Sequence, residues 1–316
     1  MRKEITFGEI TVKPGEKKSG FAPVYASDFS IPLTVINGIQ AGKTVVITSG
    51  IHGGEYPCIE TAIELAQEID PLTVSGQLII LHPVNIQAFQ ARMSYIVPED
   101  GKNINRLFPG DKMGTISDRI AYTITTEYSD RADFYIDLHG GDIHESLPPY
   151  VYYPGIADEK VVAQSKAAAE VLNADFIVKS SATTGAYNSA AIRGIPSLLI
   201  ELGGKGLWNL EEVIFYKNNI TNLLRHLHLL KGPVQIPRQK AYEITKAEYI
   251  DASESGCWYP SVNLKDTVRK GQKIGQIKDV FGNTKEEIFA AYDAVILFIT
   301  VSLAINANDP IITYGI

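Results

Sequence analysis

The chain has 316 residues, 45% of them hydrophobic and 21% charged, which is ordinary globular composition and leaves no room for a disordered or fibrous class. Its net charge of −7, with no cluster of Lys and Arg, argues against a nucleic-acid binder and against attachment to an anionic membrane. Two cysteines, Cys58 and Cys257, are too few for a disulfide framework and suit a reducing compartment.

The opening Met1-Arg2-Lys3-Glu4-Ile5-Thr6 is polar and alternating, without the apolar core of a signal peptide. The longest apolar run, 294–305, is broken by Thr300 and Ser302 and is too short to span a bilayer, so a cytoplasmic location is expected. The first forty or so residues alternate and could pair with either part of the molecule. From residue 44 to residue 201, short apolar strands alternate with amphipathic segments. Strands are expected at 44–48, 77–82, 134–138, 150–153, 176–178 and 197–202. Helices are expected at 56–69, 117–129 and 160–172, where apolar residues recur every three or four positions. Ser117-Asp118 offers a cap for the second helix, and Cys58 falls on the apolar face of the first. This order predicts an α/β fold, a mixed β-sheet flanked by helices.

A closing helix is expected over 211–230, broken by Gly232-Pro233, with 234–238 as a linker. Beyond it the texture changes to short alternating segments separated by glycines, as from Thr267 to Ile277, which predicts a smaller C-terminal all-β domain. The expected division is therefore 1–234 for the α/β domain and 235–316 for the β domain.

Loops at strand carboxyl ends are where such sheets carry function. His52 and Glu55, in Ser49-Gly50-Ile51-His52-Gly53-Gly54-Glu55, follow the first strand, and imidazole and carboxylate are zinc ligands. Two ligands leave the metal too open. His139, in Asp137-Leu138-His139-Gly140-Gly141, has the address for a third and would leave room for a water, as in catalytic zinc sites. Glu201 ends the apolar run Leu198-Leu199-Ile200, where a carboxylate is costly without a purpose or a partner; it is the candidate base, or else a strand-end acid pairing with an arginine. Arg92, Asn105 and Arg106 lie in a polar, turn-rich segment with the character of a long active-site loop, and arginine's planar fork suits a carboxylate or an oxyanion. His144 is a rival pocket residue. Tyr187 sits in a flexible-looking stretch, Thr184-Gly185-Ala186-Tyr187-Asn188, from which it could close over a substrate. His82 reads as a strand-end hydrogen-bonder, His226 and His228 as surface residues.

Taken in order, His52-Gly53-Gly54-Glu55, Asn105-Arg106-Leu107-Phe108-Pro109-Gly110, Asp137-Leu138-His139-Gly140-Gly141 and Glu201-Leu202-Gly203-Gly204 resemble the succinylglutamate desuccinylase/aspartoacylase family, relatives of the zinc carboxypeptidases. Lys270-Gly271-Gln272-Lys273-Ile274-Gly275 resembles that family's C-terminal domain more loosely. The resemblance implies a carboxypeptidase-like fold and one Zn2+ per chain, held by His52, Glu55 and His139. It implies that Glu201 takes a proton from the zinc-bound water and delivers it to the leaving amine, and that Arg92 polarises the scissile carbonyl. Asn105 and Arg106 would grip the substrate carboxylate, and Asp137 would orient His139. The chain departs from the pattern at Asn103, where many members carry an acid. The spacing from Arg92 to Asn105 is longer than in aspartoacylase itself, and Ala290 to Val295 lacks the proline and glycine common there.

The function implied is a zinc-dependent amide hydrolase acting on an N-acylated amino acid or a similar small carboxylate, with assembly into a homo-oligomer left open. A carboxypeptidase trimming short peptides would use the same machinery, and a catalytically silent metal- or ligand-binding relative would keep the fold.

Overall fold

A computed structural model describes residues 3–316. The chain opens with β1 (Ile5–Phe7), β2 (Ile10–Val12), β3 (Glu16–Pro23) and β4 (Ser30–Asn37). The alternating part follows as β5 (Gln40–Ser49), α1 (Tyr56–Glu68), β6 (Ser75–Leu81), α2 (Ile86–Ala91), α3 (Ile116–Thr123), β7 (Phe134–Leu138) and β8 (Glu145–Pro154). It continues through α4 (Glu159–Ala169), β9 (Phe176–Ser180), α5 (Ala186–Ile192), β10 (Ser197–Gly204) and α6 (Leu210–His226). The C-terminal strands are β11 (Tyr242–Ile244), β12 (Ala247–Asp251), β13 (Gly256–Pro260), β14 (Thr267–Val268), β15 (Lys273–Lys278), β16 (Thr284–Phe289), β17 (Ala294–Thr300), β18 (Ala304–Ile305) and β19 (Pro310–Gly315).

One mixed sheet runs through the molecule in the order β12-β19-β17-β8-β10-β7-β5-β6-β4-β3. Its centre, β10-β7-β5-β6, is parallel. Parallel strands are covered on both faces, and their side chains divide accordingly. Val45, Ile47, Ile136, Leu138 and Ile200 pack towards α1, α4 and α6, while Val46, Tyr135 and Leu199 pack towards α3, α5 and the β1-β2 hairpin. All five residues of β7 are buried, and each Leu or Ile so placed contributes about 1.5–3 kcal/mol. The α1 helix forms because Ile59, Ala62, Leu65 and Ala66 recur at helical spacing behind Pro57 in its first turn.

The expected mixed sheet with flanking helices is present, and the local differences have local causes. The N-cap of α3 is Thr115, whose backbone N–H donates to Asp118 Oδ2 at 3.0 Å, so Asp118 serves three residues into the helix rather than as the cap itself. That helix continues past Thr123 as a π-helical turn over Ile124–Tyr128. Two short helices, α2 and α5, had too few apolar repeats to announce themselves. The N-terminal strands belong to the α/β part, since β3 and β4 extend the sheet beyond β6.

The C-terminal strands divide between two sheets. Strands β13, β15, β16 and β18 form a four-stranded sheet around Trp258, Ile274 and Ile277. Strands β12, β17 and β19 instead prolong the main sheet, joined through Ile299 and Thr300 of β17 opposite Ser146 and Glu145 of β8. A small apolar cluster of Leu147, Tyr150, Phe176, Ile244 and Phe298 fills that joint.

Candidate active site

The central strand β7 lies between β5 and β10, both parallel to it, and Asp137 is in register with Thr48 on one side and Leu199 on the other. Their carboxyl ends therefore open at one level. His52 and Glu55 leave β5, His139 leaves β7, and Glu201 is carried by β10. The turns pack too closely for side chains. A Cβ on Gly54 would lie 2.1 Å from Asp142 Oδ1, and one on Gly141 2.4 Å from the Gly203 carbonyl. Tyr216 of α6 closes the back, its buried hydroxyl donating to the His139 carbonyl at 2.5 Å.

His52, Glu55 and His139 each offer a ligand atom within 4.8 Å of the others. Both imidazoles turn Nδ1 towards one carboxylate. His52 Nδ1 is 2.7 Å from Glu55 Oε1, and His139 Nδ1 is 3.1 Å from Glu55 Oε2. Of the opposite nitrogens, His52 Nε2 is hydrogen-bonded to Asn103 Oδ1 at 3.1 Å, while His139 Nε2 lies 3.3 Å from Asp137 Oδ2 as a charge contact without hydrogen-bond geometry. Glu55 is 2% exposed and His139 1%. Burial opposes ionisation of Glu55, but His139 and His52 outweigh it and hold its carboxyl down at about 2. Burial likewise opposes charge on His139, and Glu55 and Asp137 outweigh it, raising its pKa well above the usual value.

These residues fit a divalent cation. Glu55 Oε2 is buried without a hydrogen-bond partner, an orphaned acceptor between two imidazoles. Two ring nitrogens so close to one carboxylate require a proton or a metal ion between them. The donor set, two nitrogens and a carboxylate, is one that zinc accepts. Cys58 takes no part in it: its thiol donates to the Glu55 carbonyl at 3.1 Å from within α1.

The cleft in front of this cluster has a volume of about 540 Å³. Glu201 lines it opposite Tyr150, its register partner on β8, whose hydroxyl donates to the Glu201 carboxylate. Burial pushes the Glu201 carboxyl up to about 7; His139 and the Tyr150 hydroxyl pull the other way, and the Glu55 charge adds to the rise. Asp142 and Glu145 line the cleft as well. Asp142, 1% exposed, accepts from the Tyr95 N–H at 2.8 Å and so ties the loop after β7 to the loop after α2. Glu145 Oε2 accepts from the Asp142 N–H at 3.0 Å, and burial lifts its carboxyl to about 7.

Across the cleft stands the segment 93–110. Asn103 Oδ1 accepts from the Asn105 N–H at 2.8 Å, and Asn105 Oδ1 accepts from the Ala186 N–H at 3.1 Å. Asn105 and Arg106 both line the cleft, Arg106 exposed and paired with no carboxylate among the described residues. Arg92 is elsewhere. It is exposed in a left-handed turn at the end of α2 and is not among the residues lining the cleft. His144 is exposed too, contributing only its carbonyl, to the Val301 N–H. Tyr187 belongs to α5, not to a flexible stretch, and its buried ring leans on Tyr152 in the cleft wall. His82 ends β6 with its Nε2 3.0 Å from Thr34 Oγ1.

Sequence reasoning missed the far wall, made of Tyr249 on β12, Phe298 on β17 and Asp309, Pro310 and Thr313 around β19. No motif marks these residues; only the joining of β17 to β8 brings them in. Asp142 and Glu145 were within reach, because they follow His139 in the same strand-end loop.

The chain is similar to known proteins. Residues 41–227 match the family model described as the succinylglutamate desuccinylase/aspartoacylase catalytic domain. The N-alpha-acetyl-L-2,4-diaminobutyric acid deacetylase of Halomonas elongata is 28% identical over 291 residues, covering 89% of this chain and 84% of its own. The product-bound ectoine utilization protein EutE (DoeB) of Ruegeria pomeroyi superposes with a TM-score of 0.85 at 26% identity, over 95% of both chains. A succinylglutamate desuccinylase/aspartoacylase from Rhodobacter sphaeroides gives 0.83 at 29% identity, over 95% of this chain and 94% of that one.

Proposed function

The chain belongs to the succinylglutamate desuccinylase/aspartoacylase family, and on that premise we propose that it is a zinc-dependent deacylase of N-acylated amino acids. The observation that carries the reading is the convergence of His52, Glu55 and His139 on one point, with Glu201 lining the same cleft. The zinc ion would be held by those three residues, and the chemistry it supplies when bound is a more acidic water, with a pKa of about 7, and stabilisation of negative charge on the carbonyl oxygen.

The remaining work falls to the chain's own groups. Glu201, as carboxylate, accepts a proton from the attacking water while the new C–O bond forms at the acyl carbon. It returns that proton to the nitrogen as the C–N bond breaks, so that the amine leaves neutral and the acyl group leaves as a carboxylic acid. A group titrating near neutrality suits both halves of that task. The Asn105 amide nitrogen and the Arg106 guanidinium are the donors left free to hold the substrate's carboxylate. Arg92, exposed outside the cleft, has no part in this reading. We infer that residues 1–234 carry the chemistry, while 235–316 supply the wall that shortens the cleft and disfavours long peptides.

The charge of the lining bears on the substrate. Arg106 is its one Lys or Arg among the described residues, against Asp142, Glu145 and Asp309 in addition to Glu55 and Glu201. That balance suits an acylated diamino acid, with a free ammonium, better than a succinylated dicarboxylate. It agrees with the substrate in the name of the Halomonas relative. The test is zinc content of the purified protein, followed by turnover of N-acetyl-2,4-diaminobutyrate, N-acetylaspartate, N-succinylglutamate and dipeptides. Turnover of an acyl amino acid, with the diamino substrate foremost, is expected. Preference for peptides, or no amide turnover with zinc fully loaded, would overturn the reading.

A further inference from the structure

We propose that Asn103 is the positioning residue of His52, and that its being an amide rather than a carboxylate sets how tightly the site holds its metal. The proposal rests on the metal-dependent reading above. An asparagine's oxygen and nitrogen are told apart by their partners, and here the partner is decisive. The backbone N–H of Asn105 can only donate, and it lies 2.8 Å from the Asn103 side chain, so the atom it meets is the oxygen. The same oxygen lies 3.1 Å from His52 Nε2. That nitrogen must therefore carry a proton, so that a metal taking the place of the proton between Nδ1 and Glu55 would find the Nδ1 lone pair free for it.

The two histidines are thus backed unequally. His139 Nε2 faces Asp137, whose other oxygen accepts from the Thr48 hydroxyl at 2.8 Å and so is fixed in place. A carboxylate behind an imidazole makes it a stronger ligand, because the negative charge beside the ring favours the positive charge it gains on binding a cation. Behind His52 stands a neutral amide. His52 is the weaker donor of the pair, and the centre carries one negative charge fewer than with an acid there. Such a centre binds its ion less tightly and leaves it more electrophilic. The amide oxygen has a second duty, since it also anchors Asn105. One atom therefore seats both a metal ligand and the first residue of the Asn105-Arg106 pair.

The experiment is competition for Zn2+ between a chromophoric chelator and the metal-free full-length protein, for the wild type, Asn103→Asp and Asn103→Leu, with the melting temperature of each metal-free form alongside. Asn103→Asp keeps both acceptor bonds and should hold Zn2+ more tightly than the wild type. Asn103→Leu should hold it roughly 10- to 100-fold more weakly. If the leucine variant fails to fold, the aspartate variant decides alone, and affinity within twofold of the wild type overturns the proposal. A wild type that binds no Zn2+ overturns the metal reading and this proposal with it. Equal Zn2+ affinity in folded variants overturns this proposal only.

Discussion

Two sides of one cleft are built by different means. On the strand side, His52, Glu55, His139 and Glu201 sit on or just beyond three adjacent parallel strands whose neighbours are buried on both faces. On the loop side, Asn105 and Arg106 ride on a segment pinned by the buried side chains of Val97, Ile104 and Phe108, with polar bonds ordering the turns between them. The Asp100 carboxylate accepts from the Lys102 N–H, the Thr115 hydroxyl and both the N–H and hydroxyl of Ser117. Packing fixes positions to fractions of an ångström, whereas the exposed, hydrogen-bonded turns of a loop can be rebuilt at small cost to the core. The strand side is suited to chemistry that must not move, the loop side and the C-terminal wall to choosing a substrate.

The comparison is broken most sharply at Glu201. Glu201→Gln should cut kcat by roughly 10²- to 10⁴-fold, the contribution of a general acid–base, while zinc content stays that of the wild type. The same variant has a stability signature in the metal-free protein. Glu201 titrates at about 7 in the fold against 4.5 as the ordinary value. A carboxyl whose folded pKa is raised favours the fold at low pH, and that advantage disappears as pH climbs through 7. Glu201→Gln should therefore stabilise the metal-free form at pH 8, by on the order of 1–3 kcal/mol, and change little at pH 4. Chemical denaturation at the two pH values measures it; equal effects at both would show that burial does not hold the proton on Glu201.

A smaller effect belongs to the loop side. If Arg106 holds the substrate carboxylate as proposed, Arg106→Ala removes a charge-assisted contact worth about 1.5–3 kcal/mol, so kcat/KM should fall roughly 10- to 150-fold. The loss should appear mainly in KM, with zinc affinity unchanged, because the contact is made equally to substrate and transition state. A fall confined to kcat would move Arg106 to the reacting carbonyl and erase the division between the two sides.

The strand side was legible in the sequence because strand ends leave a local record. An apolar run followed by a glycine-rich turn carrying His or Glu marks His52, His139 and Glu201 alike. The parallel registers then bring them together without further information. The far wall left no such record. Tyr249, Phe298 and Asp309 enter the cleft because β17 pairs with β8 over two residues, and pairings so distant in sequence are set by tertiary packing. Tyr150 stood halfway. Its strand was expected, but its place opposite Glu201 depends on β8 running antiparallel to β10.

Arg92 shows the same limit from the other direction, and it carries the smallest predicted effect. Its candidacy came from charge and from order along the chain, neither of which records where a helix ends. The α2 helix stops at Ala91, Arg92 takes a left-handed conformation with φ of 56°, and its N–H donates to the Phe89 carbonyl at 3.2 Å. That turn leaves the arginine exposed and the cleft to Tyr95 and the residues beyond it. Arg92→Ala should therefore change kcat and KM by less than about twofold, as exposed substitutions away from a site do. A loss of kcat comparable to that of Glu201→Gln would mean that the segment refolds around bound substrate to bring Arg92 to the carbonyl. The loop side would then be part of the chemistry, and the strand ends would supply only half of it.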